Sequence, residues 1–232
     1  MEVDPVFLDS IIRSGCKAAI AAEPNLTKWD MVMGDGDCGE AVYGVSQGKC
    51  ALSSILLHSL LIFNPQAIIR ILDSKDLLKG SVFDLLSAIM DAVDDMGGTL
   101  GAILGILLSA FSTSLRTHVK KLGTSSPEPS VYAQALAEAV TTLKSYTSAR
   151  EGDRTVMDVL LPFADRFSET NDFHAAVEKA YERAEATRLL KPRFGRATYV
   201  AEAAGQELPD PGAWALYEMV NGMSNGIKSF KR

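Results

Sequence analysis

Apolar residues recur every three or four positions through most of the chain, the spacing that lines one face of an α-helix. Leu8, Ile11, Ile12, Cys16 and Ala19 form the first stripe, after Asp4-Pro5, an N-cap followed by proline at the first helical position. Residues 40–62 read as a further helix, broken by Asn64-Pro65. Leu78, Val82, Leu85, Leu86, Ile89 and Val93 form the next stripe, which Gly97-Gly98 interrupts. Residues 96–111 are the longest mainly apolar run, 16 residues that include four glycines, short for a membrane span and read as a buried helix. After a serine- and proline-rich connection at residues 123–129, Tyr132, Leu136, Val140 and Leu143 continue the pattern. Asp153 is placed to cap a helix over residues 155–167, and Asn171 or Asp172 to cap one that carries Phe173, Val177, Ala180, Tyr181 and Ala184 on one face. Residues 191–209 are less regular, and Asp210-Pro211-Gly212 opens a last helix with Trp214, Tyr217 and Val220. No period-2 alternation, hairpin signal or internal repeat is present. The pattern predicts an all-α chain of about eight helices in one domain, residues 1–232, with short connections that set neighbouring helices antiparallel.

Composition narrows the partners. At 47% hydrophobic and 22% charged, the 232 residues are ordinary for a globular domain with one sizeable core. A net charge of −6 argues against non-specific binding to nucleic acid or to an anionic membrane. Cys16, Cys38 and Cys50 form no metal-type or redox-type pair, and no basic-then-apolar leader opens the sequence, so a cytoplasmic location is expected.

The candidate chemistry starts at Asp30-Met31-Val32-Met33-Gly34-Asp35-Gly36-Asp37-Cys38-Gly39-Glu40. Glycines can bring the three carboxylates to one point, where they repel one another unless a hard cation neutralises them. The stretch is either a solvated acidic turn or a divalent-cation site. Its spacing is not that of an EF-hand, because counting from Asp35 the fifth and twelfth positions are Gly39 and Ser46. Mg2+ suits it better, since that ion completes its shell with water and substrate phosphates. A phosphate-binding element is at hand in Gly97-Gly98-Thr99-Leu100-Gly101, where glycine-exposed amides open a helix. Gly97, Gly101 and Gly105, four apart, lie on one helix face and equally suit close helix packing. Gly152-Asp153-Arg154-Thr155 reads as a cap with a surface arginine. Arg188, Lys191, Arg193 and Arg196 are a basic cluster, either a solvated face or a nucleotide contact. His58, His118 and His174 lie away from these loops and are read as surface or core residues.

Taken in order, Gly34-Asp35-Gly36-Asp37-Cys38-Gly39, Met96-Gly97-Gly98-Thr99, Gly152-Asp153-Arg154-Thr155, Gly195-Arg196-Ala197-Thr198-Tyr199 and Asp210-Pro211-Gly212-Ala213 resemble the ATP-binding, L-type domain of dihydroxyacetone kinases. The resemblance runs from about residue 30 to residue 213. It implies an eight-helix antiparallel up-and-down barrel with a nucleotide, ATP or ADP, at one end. It implies that Asp30, Asp35 and Asp37 hold two Mg2+ ions. By the same match Cys38, Gly39, Glu40, Ala41, Gly97, Gly98, Thr99, Leu100, Thr147, Val156, Arg196, Asp210, Pro211 and Gly212 would line the nucleotide site. Cysteine at position 38, where phosphotransferase-dependent members carry histidine, resembles the ATP-dependent two-domain form. Leu100 departs from the family's frequent Gly-Gly-x-Ser-Gly pattern, so Thr99 or backbone amides would replace one hydroxyl contact.

In that family a K-type domain holds the ketose, and no such domain is expected within these 232 residues. The resemblance therefore implies a kinase domain acting on dihydroxyacetone or a related triose with a K-type partner, and inactive alone. The alternative is a nucleotide-binding regulatory or ligand-binding helical module without transfer activity. Homo-oligomerisation is left open.

Overall fold

The structure, a computed structural model, describes residues 5–33, 65–73, 80–94, 98–124, 127–194, 198 and 207–230. The helix expected over residues 40–62, and Leu78 of the second stripe, lie outside it. The described elements are α1 (Pro5–Met33), α2 (Pro65–Leu72), α3 (Val82–Asp94), α4 (Gly98–Leu122), α5 (Pro129–Leu143), α6 (Met157–Thr170), α7 (Phe173–Ala186), a 3-10 turn (Thr187–Leu189) and α8 (Pro211–Phe230). No strand occurs among them, so the all-α expectation holds for the described residues.

Local chemistry explains the boundaries. Pro65, read from sequence as a break, is the first residue of α2, where its missing N–H is no loss. Ser81 and Asp84 cap α3 reciprocally: the Ser81 amide donates to Asp84 Oδ2 at 2.7 Å and the Asp84 amide to Ser81 Oγ at 3.3 Å. Gly123 (φ 64°) closes α4, its amide returning to the Val119 carbonyl. Asn171 and Asp172 divide the capping. Asn171, at φ 53°, ends α6, and Asp172 Oδ1 accepts the His174 and Ala175 amides to start α7.

Helices adjacent in sequence pack together, α1 on α2 and so on through α7 on α8, with α1 on α2 the first pair across residues 34–64, and α8 returns to α1. The α1–α8 pair is antiparallel: Phe7 meets Phe230, Gly15 meets Met219, and Trp29 meets Trp214. Helix α6 is the most enclosed, with Met157, Val159, Leu160, Leu161, Phe163, Ala164 and Phe167 all buried. On α5 the buried face runs through alanines 133, 135 and 139 with Val140 and Leu143, while Tyr132 and Leu136 pack at its margin. Tyr181, expected on the inner face of α7, is 48% exposed.

Over residues 101–111, α4 is not buried on all sides. Within α4, Leu104, Leu107 and Leu115 are buried, whereas Ile103, Ile106 and Leu108 are partly exposed. Residues Gly101–Leu122 are long and apolar enough to cross a membrane by length and composition, but α4 packs on α3 and α5 as one helix of the array.

The α1–α8 crossing depends on glycine. A Cβ on Gly222 would stand 2.5 Å from the Ser14 carbonyl oxygen and 2.7 Å from Ala18 Cβ. Backbone cannot yield there as a long side chain would, so Gly222→Ala should destabilise by about 2 kcal/mol despite the better helix propensity of alanine. A thermal melt should show a loss of roughly 4–8 °C. An unchanged melting temperature would mean that the two helices do not cross this closely.

Candidate nucleotide and cation site

Two of the sequence motifs fold into one corner where α1, α6 and α8 meet. The residue 150–156 loop is built on carboxylates. Asp158, fully buried in the first turn of α6, reaches back so that Oδ1 accepts the Gly152 amide at 2.6 Å and Oδ2 the Thr155 amide at 2.7 Å. Asp153 does not cap this helix, contrary to the sequence reading. Its Oδ2 accepts the Arg150 amide at 2.7 Å, and its Oδ1 pairs with Arg193 at 3.2 Å. Gly152 adopts φ 96°, the left-handed region that glycine enters without steric cost.

Arg154, read from sequence as a surface residue, is only 8% exposed. Its backbone also takes a positive φ, 59°, and its guanidinium donates to the carbonyls of Leu190 (3.1 Å) and Leu208 (2.8 Å). Burial lowers the pKa of this arginine and the nearby Asp210 carboxylate raises it.

Asp210 caps α8 through the Ala213 amide at 2.7 Å, with Pro211 at the first helical position, as the sequence predicted. Burial pushes the Asp210 carboxyl up to about 7; the Ala213 amide opposes this, the Asp158 and Asp30 carboxylates add to it, and Arg154 offsets part of it. Four charged groups therefore share the corner. Asp30 is not in a loop as expected but on the last turn of α1, with Oδ2 buried. A Cβ on Gly212 would stand 3.3 Å from Asp210 Oδ2 and 3.9 Å from Val156 Cβ, so these residues line one small surface.

Of the residues expected at the site, the structure thus gathers Asp30, Val156, Asp210, Pro211 and Gly212. Gly98, Thr99 and Leu100 form the first turn of α4. Thr147 lies in the loop after α5, where its Oγ1 accepts the Ala149 amide at 3.2 Å and its carbonyl accepts from Arg150. That loop runs from the end of α5 to the start of α6, which puts Thr147 and the acidic corner at one end of the array. An open recess of about 870 Å³ runs along α4, lined among others by Gly101, Gly105, Thr113, Glu138 and Tyr146. Gly101 and Gly105 thus face this recess. Asp35, Asp37, Cys38, Gly39, Glu40, Ala41, Gly97 and Arg196 lie outside the described residues.

Of the basic cluster, Arg188 and Arg193 have partners within the structure, Arg193 with Asp153. Arg188 pairs with Glu185 at 2.6 Å, donates to the Glu207 carbonyl and lies over the Trp214 ring at 5.9 Å. Sequence reasoning missed Asp158, whose signal was the capping-box spacing Thr155-x-x-Asp158. It also missed an aromatic cluster at the corner: Trp214 meets Trp29 edge-on at 5.7 Å and also packs on Tyr181 and Tyr217. Both tryptophans of the chain are in this cluster, one beside Asp30 and the other two residues after Gly212.

Residues 65–225 match the DAK2 domain family. The dihydroxyacetone kinase of Pichia angusta is 36% identical over 223 residues, covering 93% of this chain and 34% of the relative. That of Komagataella pastoris is 35% identical over 232 residues, covering 97% and 35%. The chain spans about a third of the length of these relatives. Among solved structures, the native dihydroxyacetone kinase of C. freundii superposes with a TM-score of 0.67 at 22% identity, over 97% of this chain and 35% of that one. The same kinase in complex with AMP-PNP and Mg2+ gives 0.61, over 97% and 34%. Motif order, all-helical fold and family match agree, and the chain belongs to the DAK2 domain family.

Proposed function

We propose that this chain is the ATP-Mg-binding domain of a dihydroxyacetone-type kinase, delivering the γ-phosphate of ATP to dihydroxyacetone or a related triose held by a K-type partner. The observation that carries this reading is the corner shared by Asp30, Asp158, Asp210 and Arg154, against which Val156 and Gly212 pack. The cyclic order of helix contacts supports an up-and-down barrel with the nucleotide at the end where α1 finishes and α6 and α8 begin.

Carboxylate oxygens suit a hard cation, but among the described residues no group of three ligating side chains forms, so the set would be completed by Asp35 and Asp37. Burial, with a smaller contribution from the Asp158 and Asp30 carboxylates, brings Asp210 to about 7. Asp30 with Asp35 and Asp37 would hold two Mg2+ ions, which when bound supply neutralising charge to the transferring phosphate. The protein's own residues do the rest. Amides of the first turn of α4 bind phosphate oxygens, aided by the dipole of a 25-residue helix. Val156 and the Asp210-Pro211-Gly212 turn orient the remainder of the nucleotide. No side chain of this chain need act as general base, because the acceptor hydroxyl belongs to a triose on the partner.

Calorimetric titration with ATP and ADP, with and without Mg2+, tests the reading. Binding is expected to require Mg2+ and to change tryptophan emission, since both tryptophans sit at the corner. Absence of binding under either condition would refute it. A second reading, a ligand-binding helical module without transfer activity, draws on the recess along α4. Dihydroxyacetone turnover on adding a K-type partner favours the first, and binding without turnover the second.

A further inference from the structure

Arg154 has no contact role in the reading above, yet its placement is tightly held. A buried arginine at positive φ is doubly unusual, and both features serve one geometry. The guanidinium bridges carbonyls 36 and 54 residues away along the chain, at Leu190 and Leu208. Those two stretches are also joined by the Asp210 amide, which donates to the Thr187 hydroxyl at 2.8 Å. Thr187 is itself fully buried and anchored to the Ala184 carbonyl. The Arg193 amide returns to the Asp153 carbonyl at 3.2 Å, closing the arrangement onto the loop that carries Arg154. Arg154 therefore stands between the turn bearing Val156, two residues after it, and the turn bearing Asp210 and Gly212, two and four residues after Leu208.

We propose that Arg154 is a positioning residue for the nucleotide: by bridging the Leu190 and Leu208 carbonyls it sets the spacing between Val156 and the Asp210-Pro211-Gly212 turn, without touching the nucleotide itself. A planar fork is required, because an ammonium is a point charge that cannot hold two carbonyls in the same fixed arrangement. This inference rests on the proposed nucleotide site.

The test compares Mg·ADP affinity, by calorimetry and by tryptophan emission, in the wild-type chain, Arg154→Lys and Arg154→Met, well below each melting temperature. Arg154→Lys keeps the charge and decides the matter if Arg154→Met does not fold. The expected result is a dissociation constant raised at least fivefold in Arg154→Lys, and further in Arg154→Met, with the ADP-induced emission change diminished in the folded protein. A purely structural arginine would lower the melting temperature and leave affinity of the folded protein within that factor, which would overturn the proposal. Failure of the wild-type chain to bind Mg·ADP would instead refute the nucleotide site, so the two claims fail separately.

Discussion

Asp35→Ala and Asp37→Ala are each expected to raise the dissociation constant for Mg·ATP at least 100-fold while the melting temperature holds or rises. Such a change corresponds to about 2.7 kcal/mol of binding free energy. Loss of a supporting group around a metal already costs roughly 10–100-fold in affinity, and loss of a direct carboxylate ligand exceeds that. The expectation for stability follows from the same charges. The third member of the set, Asp30, acts electrostatically on Asp210, which Asp158 also repels. With Asp35 and Asp37 beside Asp30, as proposed, removing either carboxylate relieves repulsion when no metal is present, so the metal-free protein should not weaken. Calorimetry with and without Mg2+, beside a thermal melt of each variant, separates the two effects. Wild-type affinity in either variant would remove the aspartates from the cation site. A parallel fall in affinity and melting temperature would make them structural instead.

How much of this was legible in sequence differs from link to link. Helices whose stripes were continuous, such as Leu85, Ile89 and Val93, took their expected form because burial of one face decides them. The Asp210-Pro211 start of the last helix was also readable, since capping and proline geometry are local. Helix α2 was not, because Asn64-Pro65 signals a stop and a start equally well. The environment of Arg154 was invisible for a different reason. Its partners lie 36 and 54 residues away, and nothing in Gly152-Asp153-Arg154-Thr155 distinguishes a buried fork from a solvated side chain. Tyr181 failed in the reverse direction: its helical register is inward, but it joins Trp214 and Tyr217 in an aromatic cluster assembled across two helices. Residue types and local turns thus carried the family resemblance, which the DAK2 match bears out, while the convergence of Asp30, Asp158 and Asp210 is a tertiary fact.

Burial of the Asp210 carboxyl, with that convergence added, has a measurable cost, and Asp210→Asn should reveal it. The Asp210 carboxyl stands at about 7 in the folded, metal-free protein against an ordinary value of 3.8. An acid whose pKa is raised on folding contributes most to stability below its unfolded value, and that contribution is lost as pH rises through the folded value. Metal-free wild-type protein should therefore lose stability between about pH 4 and pH 7 and reach a plateau above. At roughly 1.4 kcal/mol per unit, the loss is on the order of 2–4 kcal/mol once part of the strain relaxes. Asparagine caps a helix about as well as aspartate and can still accept the Ala213 amide, so the variant keeps the turn and removes the buried charge. Its melting temperature at pH 8 should exceed the wild type by several degrees, and the advantage should vanish near pH 4. The favourable term that asparagine gives up, a charge at the N-terminus of α8, is about 0.3–1 kcal/mol and does not reverse the sign. Melts of the two proteins across pH 4–8 in chelator provide the measurement. A wild type as stable as Asp210→Asn at pH 8 would show that Arg154 and solvent already compensate the carboxylate fully. If the expected inversion is found, the carboxylate is retained against stability, and the same variant should bind Mg·ADP more weakly than wild type although it folds better. A residue kept only to cap α8 would give the opposite result: asparagine would serve at least as well, and affinity would not change.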